Sequence, residues 1–291
     1  MGIETRDVAQ GKDVPQAEVA RRVNEVLGEG PVDVMWSSRF RIHKRSSPRF
    51  RVGRVLLAGD AAHVHSPIGG LGMNAGVQDA HNLAWKLAYA LGGGHEDRLL
   101  DSYEVERQAV VVEDVSRFTD LVTRLFLQTP ATVREVALMA YRTALKVGPI
   151  RKRMLRRLTM IDLDYPASPL LDKGERSAGV RLPNAVLQSP DGSDVRLYDL
   201  LPTGPVLIQV GGNGANGDNL PVSDVIRVGP GGVRDGSRLI HGLLDANDGW
   251  ILVRPDAHVA WAREDCSGVH GAVERALGAI PDTVVSQVPT D

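Results

Sequence analysis

Residues 54–91 read RVLLAGDAAHVHSPIGGLGMNAGVQDAHNLAWKLAYAL, and this stretch decides the fold. Residues 54–58 (RVLLA) predict a buried strand that ends in Gly59-Asp60. A thin turn, Ala61-Ala62, follows, then a loop carrying Pro67, Gly69 and Gly70, then a helix opening at Gly72-Met73-Asn74. From Ala75 onward Val77, Ala80, Ala84, Leu87, Ala88 and Leu91 recur at three- and four-residue spacing, the period of a helix face. Gly92-Gly93-Gly94 ends that helix.

The chemistry follows from the order of these parts. Asp60 stands where a strand ends, the usual place for ligand contacts in α/β sheets, and its carboxylate can accept charge-assisted hydrogen bonds from sugar or polyol hydroxyls. Pro67 fixes the direction of the loop. Gly69, Gly70 and Gly72 let backbone N–H groups face a ligand without a Cβ in the way. Met73 and Asn74 open the helix, where unpaired N–H groups and the positive dipole end collect. The combination suits a large planar cofactor with a hydroxylated tail and a ring that becomes anionic on reduction. Gly70, Gly72 and Gly76 imitate a dinucleotide-binding fingerprint, but there the glycines follow the strand directly. Here Gly70 stands eleven positions after Gly59, so that reading is rejected.

Outward from this stretch the chain divides in two. Its 291 residues suffice for about two domains. Hydrophobic residues at 43% and charged residues at 24% are ordinary for a globular protein, and a net charge of −2 offers no general field for nucleic acid or an anionic membrane. Residues 15–27 carry Val19, Val23 and Val26-Leu27 on one helical face before Gly28, and 32–42 read as extended. A second long helix is predicted over about 97–127, with shorter helices over 131–159. Residues 164–184 hold Pro166, Pro169, Gly174, Gly179 and Pro183, which is linker composition. Strands follow at 206–210 and 225–228, then a hairpin joining 250–253 to 258–261 around Pro255-Asp256, and a closing helix near 269–277. The predicted domains are 1–165 and 181–291, joined by 166–180.

Other features receive plainer readings. Arg151-Lys152-Arg153 with Arg156-Arg157 reads as a solvated face or an interdomain contact. His63 and His65 form an HxH pair without evident acidic or cysteine partners, so they read as packed or solvent-touching side chains and no metal is expected. Glu104, Glu106 and Arg107 read as helix ion pairs. Cys266 is the one cysteine, which excludes an internal disulfide and reads as an inert thiol. The glycine-rich loops at 211–217 and 229–232 read as connections. No apolar run reaches the length of a membrane span, and the chain is expected to be cytoplasmic.

The run from Gly59 to Leu87 resembles the second FAD-binding motif of the single-component flavoprotein aromatic hydroxylases, the family of para-hydroxybenzoate, phenol and polyketide hydroxylases. Flanking residues agree: Trp36-Ser37-Ser38-Arg39-Phe40 before it, and Leu99-Leu100-Asp101-Ser102-Tyr103 with Glu106-Arg107 after it. Gly179-Val180-Arg181-Leu182-Pro183, Asp191-Gly192 and Leu252-Val253-Arg254-Pro255-Asp256 with Val259-Ala260-Trp261 resemble the thioredoxin-like appendage of the phenol- and polyketide-hydroxylase branch. The resemblance implies an α/β protein: a partial, helix-rich FAD-binding monooxygenase fold followed by a small thioredoxin-like domain. It implies that Gly59 and Asp60 meet the ribityl or pyrophosphate part of FAD. Pro67 lies at the reactive edge of the flavin, Gly69, Gly70, Leu71 and Gly72 line the loop beside it, and Met73-Asn74 meet the pyrimidine edge. NAD(P)H would be the reductant, and a phenolic or polyketide small molecule would receive an oxygen atom from dioxygen. The family's GxGxxG strand–turn–helix is not among these residues. The chain is therefore expected to be incomplete as a lone hydroxylase, and to associate with a second copy or with a chain supplying the N-terminal half. The rival expectation is a non-catalytic binding or assembly subunit on the same scaffold.

Overall fold

The computed structural model describes residues 15–28, 33–36, 44–65, 70–93, 96–111, 116–125, 129–161, 163–172, 176–212, 220–222, 224–244 and 246–277. Helix α1 (Gln16–Leu27) stops at Gly28, whose left-handed φ of 66° lets its N–H reach Asn24 O. Four short strands follow in two antiparallel pairs: β1 (Arg45–Ser46) with β4 (His63–Val64), and β2 (Arg51–Val52) with β3 (Val55–Leu56). The buried strand expected over 54–58 is thus corrected to half of a two-residue hairpin in which Val55 is exposed. Among the described residues β3 pairs with β2 alone.

Helix α2 (Gly72–Leu91) begins where the glycine loop predicts and packs along α3 (Glu96–Gln108). Its buried residues are Ala75, Asp79, Asn82, Trp85 and Lys86, while Val77 and Leu91 of the apolar stripe are largely exposed. The apolar period therefore marks the outer face. The inner face is polar because α3 brings Glu106 and Arg107 against it, and those charges pair inside. The helix expected over 97–127 is α3, a widened turn at 109–111, and α4 (Ser116–Thr123). Val110 and Val111, β-branched and stiff at χ1, fall in that widened turn. Helices α5 (Ala131–Ala144) and α6 (Gly148–Thr159) complete this part. Arg151, Lys152 and Arg153 lie exposed on α6.

The segment expected as a linker is packed in part: Pro166, Ala167, Pro169 and Arg176 are exposed, but other residues of linker composition are not. Tyr165, Leu170, Leu171 and Leu182 are buried. Gly179 N–H donates to Val259 O at 2.8 Å, and Leu182 N–H donates to Ala257 O at 2.8 Å. Strands β5 (Val186–Gln188) and β6 (Asp194–Arg196) form a small antiparallel pair. Strands β7 (Val206–Val210), β8 (Val225–Val228), β9 (Gly249–Val253) and β10 (Val259–Arg263) form one sheet in the order β10-β9-β7-β8. Strands β7 and β8 are parallel and the other pairs antiparallel. The sheet is covered on both faces, which is why its central strands read as unbroken apolar runs. Leu207, Trp250 and Leu252 point to α7 (Val269–Leu277), whereas Ile208, Ile251 and Val253 point to Leu187, Leu197 and Ile240.

Candidate functional site

Gly59–Ala61 forms a single 3-10 turn packed against α2. Gly59 takes a φ of 57°, and a Cβ on Gly76 would lie 3.4 Å from the Gly59 Cα, so strand end and helix meet backbone to backbone. This close approach leaves Asp60 exposed, with no hydrogen bond or ion pair among the described residues. Helix α2 starts with Leu71 at its N-cap and no side-chain cap, so its first N–H groups stay available. Gly70 has a φ of 65° and is exposed, Leu71 is buried, Gly72 and Asn74 are half-buried, and Met73 is 79% exposed. Pro67 and Gly69 lie outside the described residues.

Behind the turn sits a buried carboxylate that sequence reasoning missed. Asp79 Oδ2 accepts the Gly59 N–H at 2.9 Å and contacts His63 Nε2 at 2.6 Å, while Oδ1 accepts Arg107 Nε at 2.6 Å. A carboxylate only accepts, so His63 Nε2 carries a proton. His63 Nδ1 lies 3.0 Å from His65 Nε2, and the Phe50 ring stacks on His63. Arg107 also donates to Tyr165 Oη at 3.2 Å and to Ala75 O at 3.2 Å. Burial pushes the Asp79 carboxyl up, but His63, Arg107 and the Gly59 amide outweigh it and hold it below the usual carboxylate range. Burial, helped by His63, pulls His65 down to about 4, so it is neutral near pH 7. The HxH pair is packed, as read from the sequence, but its acidic partner exists, sixteen residues downstream of His63. A signal was present: Ala75, Asp79, Asn82 and Lys86 share one helix face.

A second buried cluster lies on the other side of α3. Glu106 accepts from Lys86 Nζ at 2.7 Å, Asn82 Nδ2 at 2.7 Å and Arg254 Nη1 at 2.6 Å. Arg254 also pairs with Asp256 and lies 5.1 Å from the Trp85 ring centroid. Burial lowers Lys86 to about 8 against the pull of Glu106, and Glu106 sits well below its ordinary value despite burial because Arg254 and Lys86 face it. Glu106 and Arg107 are thus ion-paired, as expected of them, although inside the protein. Glu104 is ion-paired with Arg49 at 2.9 Å and also accepts the Phe50 and Arg51 amides at 2.7 and 2.9 Å.

A carboxylate without a hydrogen bond or ion pair among the described residues, beside a helix end with no side-chain cap, fits a ligand with a hydroxylated, anionic tail. Comparison with known proteins agrees. The family description "FAD binding domain" matches residues 3–119, and "Aromatic-ring hydroxylase, C-terminal" matches residues 175–280. This chain belongs to the FAD-dependent aromatic-ring hydroxylases. An uncharacterized aromatic compound monooxygenase of Bacillus subtilis, YhjG, is 35% identical over 266 residues, which cover 89% of this hydroxylase-family chain and 51% of YhjG. The 12-dehydrotetracycline 5-monooxygenase/anhydrotetracycline 6-monooxygenase of Streptomyces rimosus is 33% identical over 271 residues, covering 90% of this chain and 50% of that protein. Among solved structures, the OxyS anhydrotetracycline hydroxylase from Streptomyces rimosus matches with a TM-score of 0.69 at 30% identity, over 92% of this chain and 54% of that one. Aklavinone-11 hydroxylase, solved with FAD and aklavinone, matches with a TM-score of 0.64 at 26% identity, over 92% and 52%. The hydroxylase-family chain spans about half the length of the curated relatives it matches. No described helix is long and apolar enough to cross a membrane, and among the described residues no cluster of three His, Cys, Asp or Glu could hold a metal.

Proposed function

We propose that this chain supplies the ring-and-ribityl side of an FAD site in an NAD(P)H-dependent monooxygenase acting on a phenolic or polyketide small molecule. One observation carries the reading: Asp60, exposed and without a hydrogen bond or ion pair among the described residues, stands on a turn packed against the first turns of α2, whose N-terminus has no side-chain cap. In this role Asp60 accepts hydrogen bonds from the hydroxylated tail. Gly70, Leu71 and Gly72, with Pro67 and Gly69, shape the loop, and the Met73 and Asn74 amides face the ring. Redox chemistry and activation of dioxygen would be supplied by FAD when bound. The protein's part is to orient the ring, to offer N–H groups where negative charge develops, and to keep water away.

The names of the relatives favour this enzyme reading over a non-catalytic scaffold. The order β10-β9-β7-β8, with β7 and β8 parallel and β9 and β10 antiparallel, supports a thioredoxin-like reading of 181–291, separate from 1–165. The exposed β2–β3 hairpin supports association with a second copy or a chain carrying the N-terminal half.

The test is a titration with FAD, followed by the change in flavin fluorescence and visible absorption. Saturable binding is expected, and Asp60→Ala should weaken it tenfold or more, about 1.4 kcal/mol. A chain that takes up no FAD, either alone or co-expressed with a segment bearing the GxGxxG half, would sink the reading.

A further inference from the structure

We propose that Asp79 is a positioning residue for the flavin-facing turn: its buried carboxylate orients the Gly59 peptide and the His63 ring, and thereby aims Asp60. The inference rests on the reading of Asp60 as an FAD contact. Asp79 itself is fully buried in the middle of α2, so it touches neither cofactor nor substrate.

The division of its two oxygens carries the argument. Oδ1 serves Arg107, which fixes the carboxylate to α3. Oδ2 serves the turn twice, through the Gly59 N–H at 2.9 Å and His63 Nε2 at 2.6 Å. Charge compensation of Arg107 alone would need only one of these contacts. The Gly59 N–H belongs to the Ala58–Gly59 peptide, one residue ahead of the Asp60 Cα. With that plane held by Asp79 and the Gly59 carbonyl accepting the Ala62 N–H at 2.9 Å, both sides of Gly59 are anchored and the start of the Asp60 side chain is set. Gly59 also takes a φ of 57°, which glycine adopts without a Cβ penalty, and its N–H is satisfied by Asp79. His63, at the far end of the same turn, is gripped by the same oxygen. Its Nδ1 then meets His65, which leads into the loop at 66–69. One carboxylate oxygen therefore holds both ends of the segment 59–63. The groups around it are His63, His65, Arg107, Tyr165 and the Gly59 and Ala75 backbone, and none but Arg107 is a fixed cation.

The experiment combines amide hydrogen exchange of the segment 57–63 with FAD titration of four proteins: the parent, Asp79→Asn, Asp60→Ala and the double variant. Asp79→Asn should raise exchange in 57–63 tenfold or more while α5 stays unchanged, and should weaken FAD binding tenfold although Asp60 is intact. In the Asp60→Ala background the same change should add less than twofold, because Asp79 acts through Asp60. Unchanged exchange in folded Asp79→Asn, or losses that add fully in the double variant, would overturn the proposal. If Asp79→Asn does not fold, His63→Gln, which leaves the Asp79–Arg107 pair in place, takes both measurements with the same expected directions. If the parent binds no FAD, alone or co-expressed with a segment bearing the GxGxxG half, the reading of Asp60 fails, while the exchange measurement still decides whether Asp79 holds the turn.

Discussion

His65 shows at the scale of one residue how the fold sets chemistry that composition does not. Burial lowers it from 6.5 to about 4, His63 and Lys44 add to the effect, and Asp79 and Asp60 oppose it. Because its folded value lies below its unfolded one, the unfolded chain binds more protons between these two values. The contribution to stability is complete above about 6.5 and is lost as pH falls through 4. The melting temperature should therefore drop between pH 7 and pH 4.5, and it should drop less in His65→Asn. His81, also lowered by burial, contributes in the same sense, so the variant removes only part of the slope. Parallel profiles for parent and variant would show that His65 does not contribute.

Among elements, α2 and the packed segment before β5 are the informative ones. The apolar stripe of α2 faces outward, so Ala84→Glu should change urea-unfolding stability by no more than about 0.5 kcal/mol. A loss of several kcal/mol would mean that the stripe faces the core. Gly179 is the opposite case. It has a φ of 85°, and a Cβ there would lie 2.8 Å from both Leu171 Cδ1 and the Tyr165 carbonyl oxygen. Gly179→Ala should cost about 1–3 kcal/mol from backbone strain and crowding. The same denaturation experiment measures it, with Gly192→Ala as the control, since Gly192 also has positive φ but open space around it.

Across the whole molecule, Arg254 joins the C-terminal sheet to the helix pair beneath the Gly59–Ala61 turn. Its partners Glu106 and Asp256 are buried, and its guanidinium lies over the Trp85 and Tyr165 rings. Removing one member of such a cluster leaves charges that water cannot reach. Arg254→Met should cost about 3–5 kcal/mol, read from the urea midpoint at constant slope. A loss below about 1 kcal/mol would show that the two parts hold together without it. The described residues at 176–185 add backbone pairing with the end of the sheet, through the Gly179 and Leu182 amides, which is why parts of a stretch of linker composition are buried here.

The sequence by itself determined the elements whose signals are local. The Gly59-Asp60 turn, the start of α2 at the glycine loop, the strands at 206–210 and 225–228, the β9–β10 hairpin and α7 were all legible, because period, turn residues and apolar runs are properties of neighbouring positions. The motif also carried the family. Only the tertiary structure decided which face of α2 is inside, that Asp79 grips Gly59 and His63, and that Glu106 and Arg254 meet across 148 residues. The reason is physical. A charge belongs in water unless a partner closes over it, and a local pattern cannot show a partner brought in from another helix or from the far sheet.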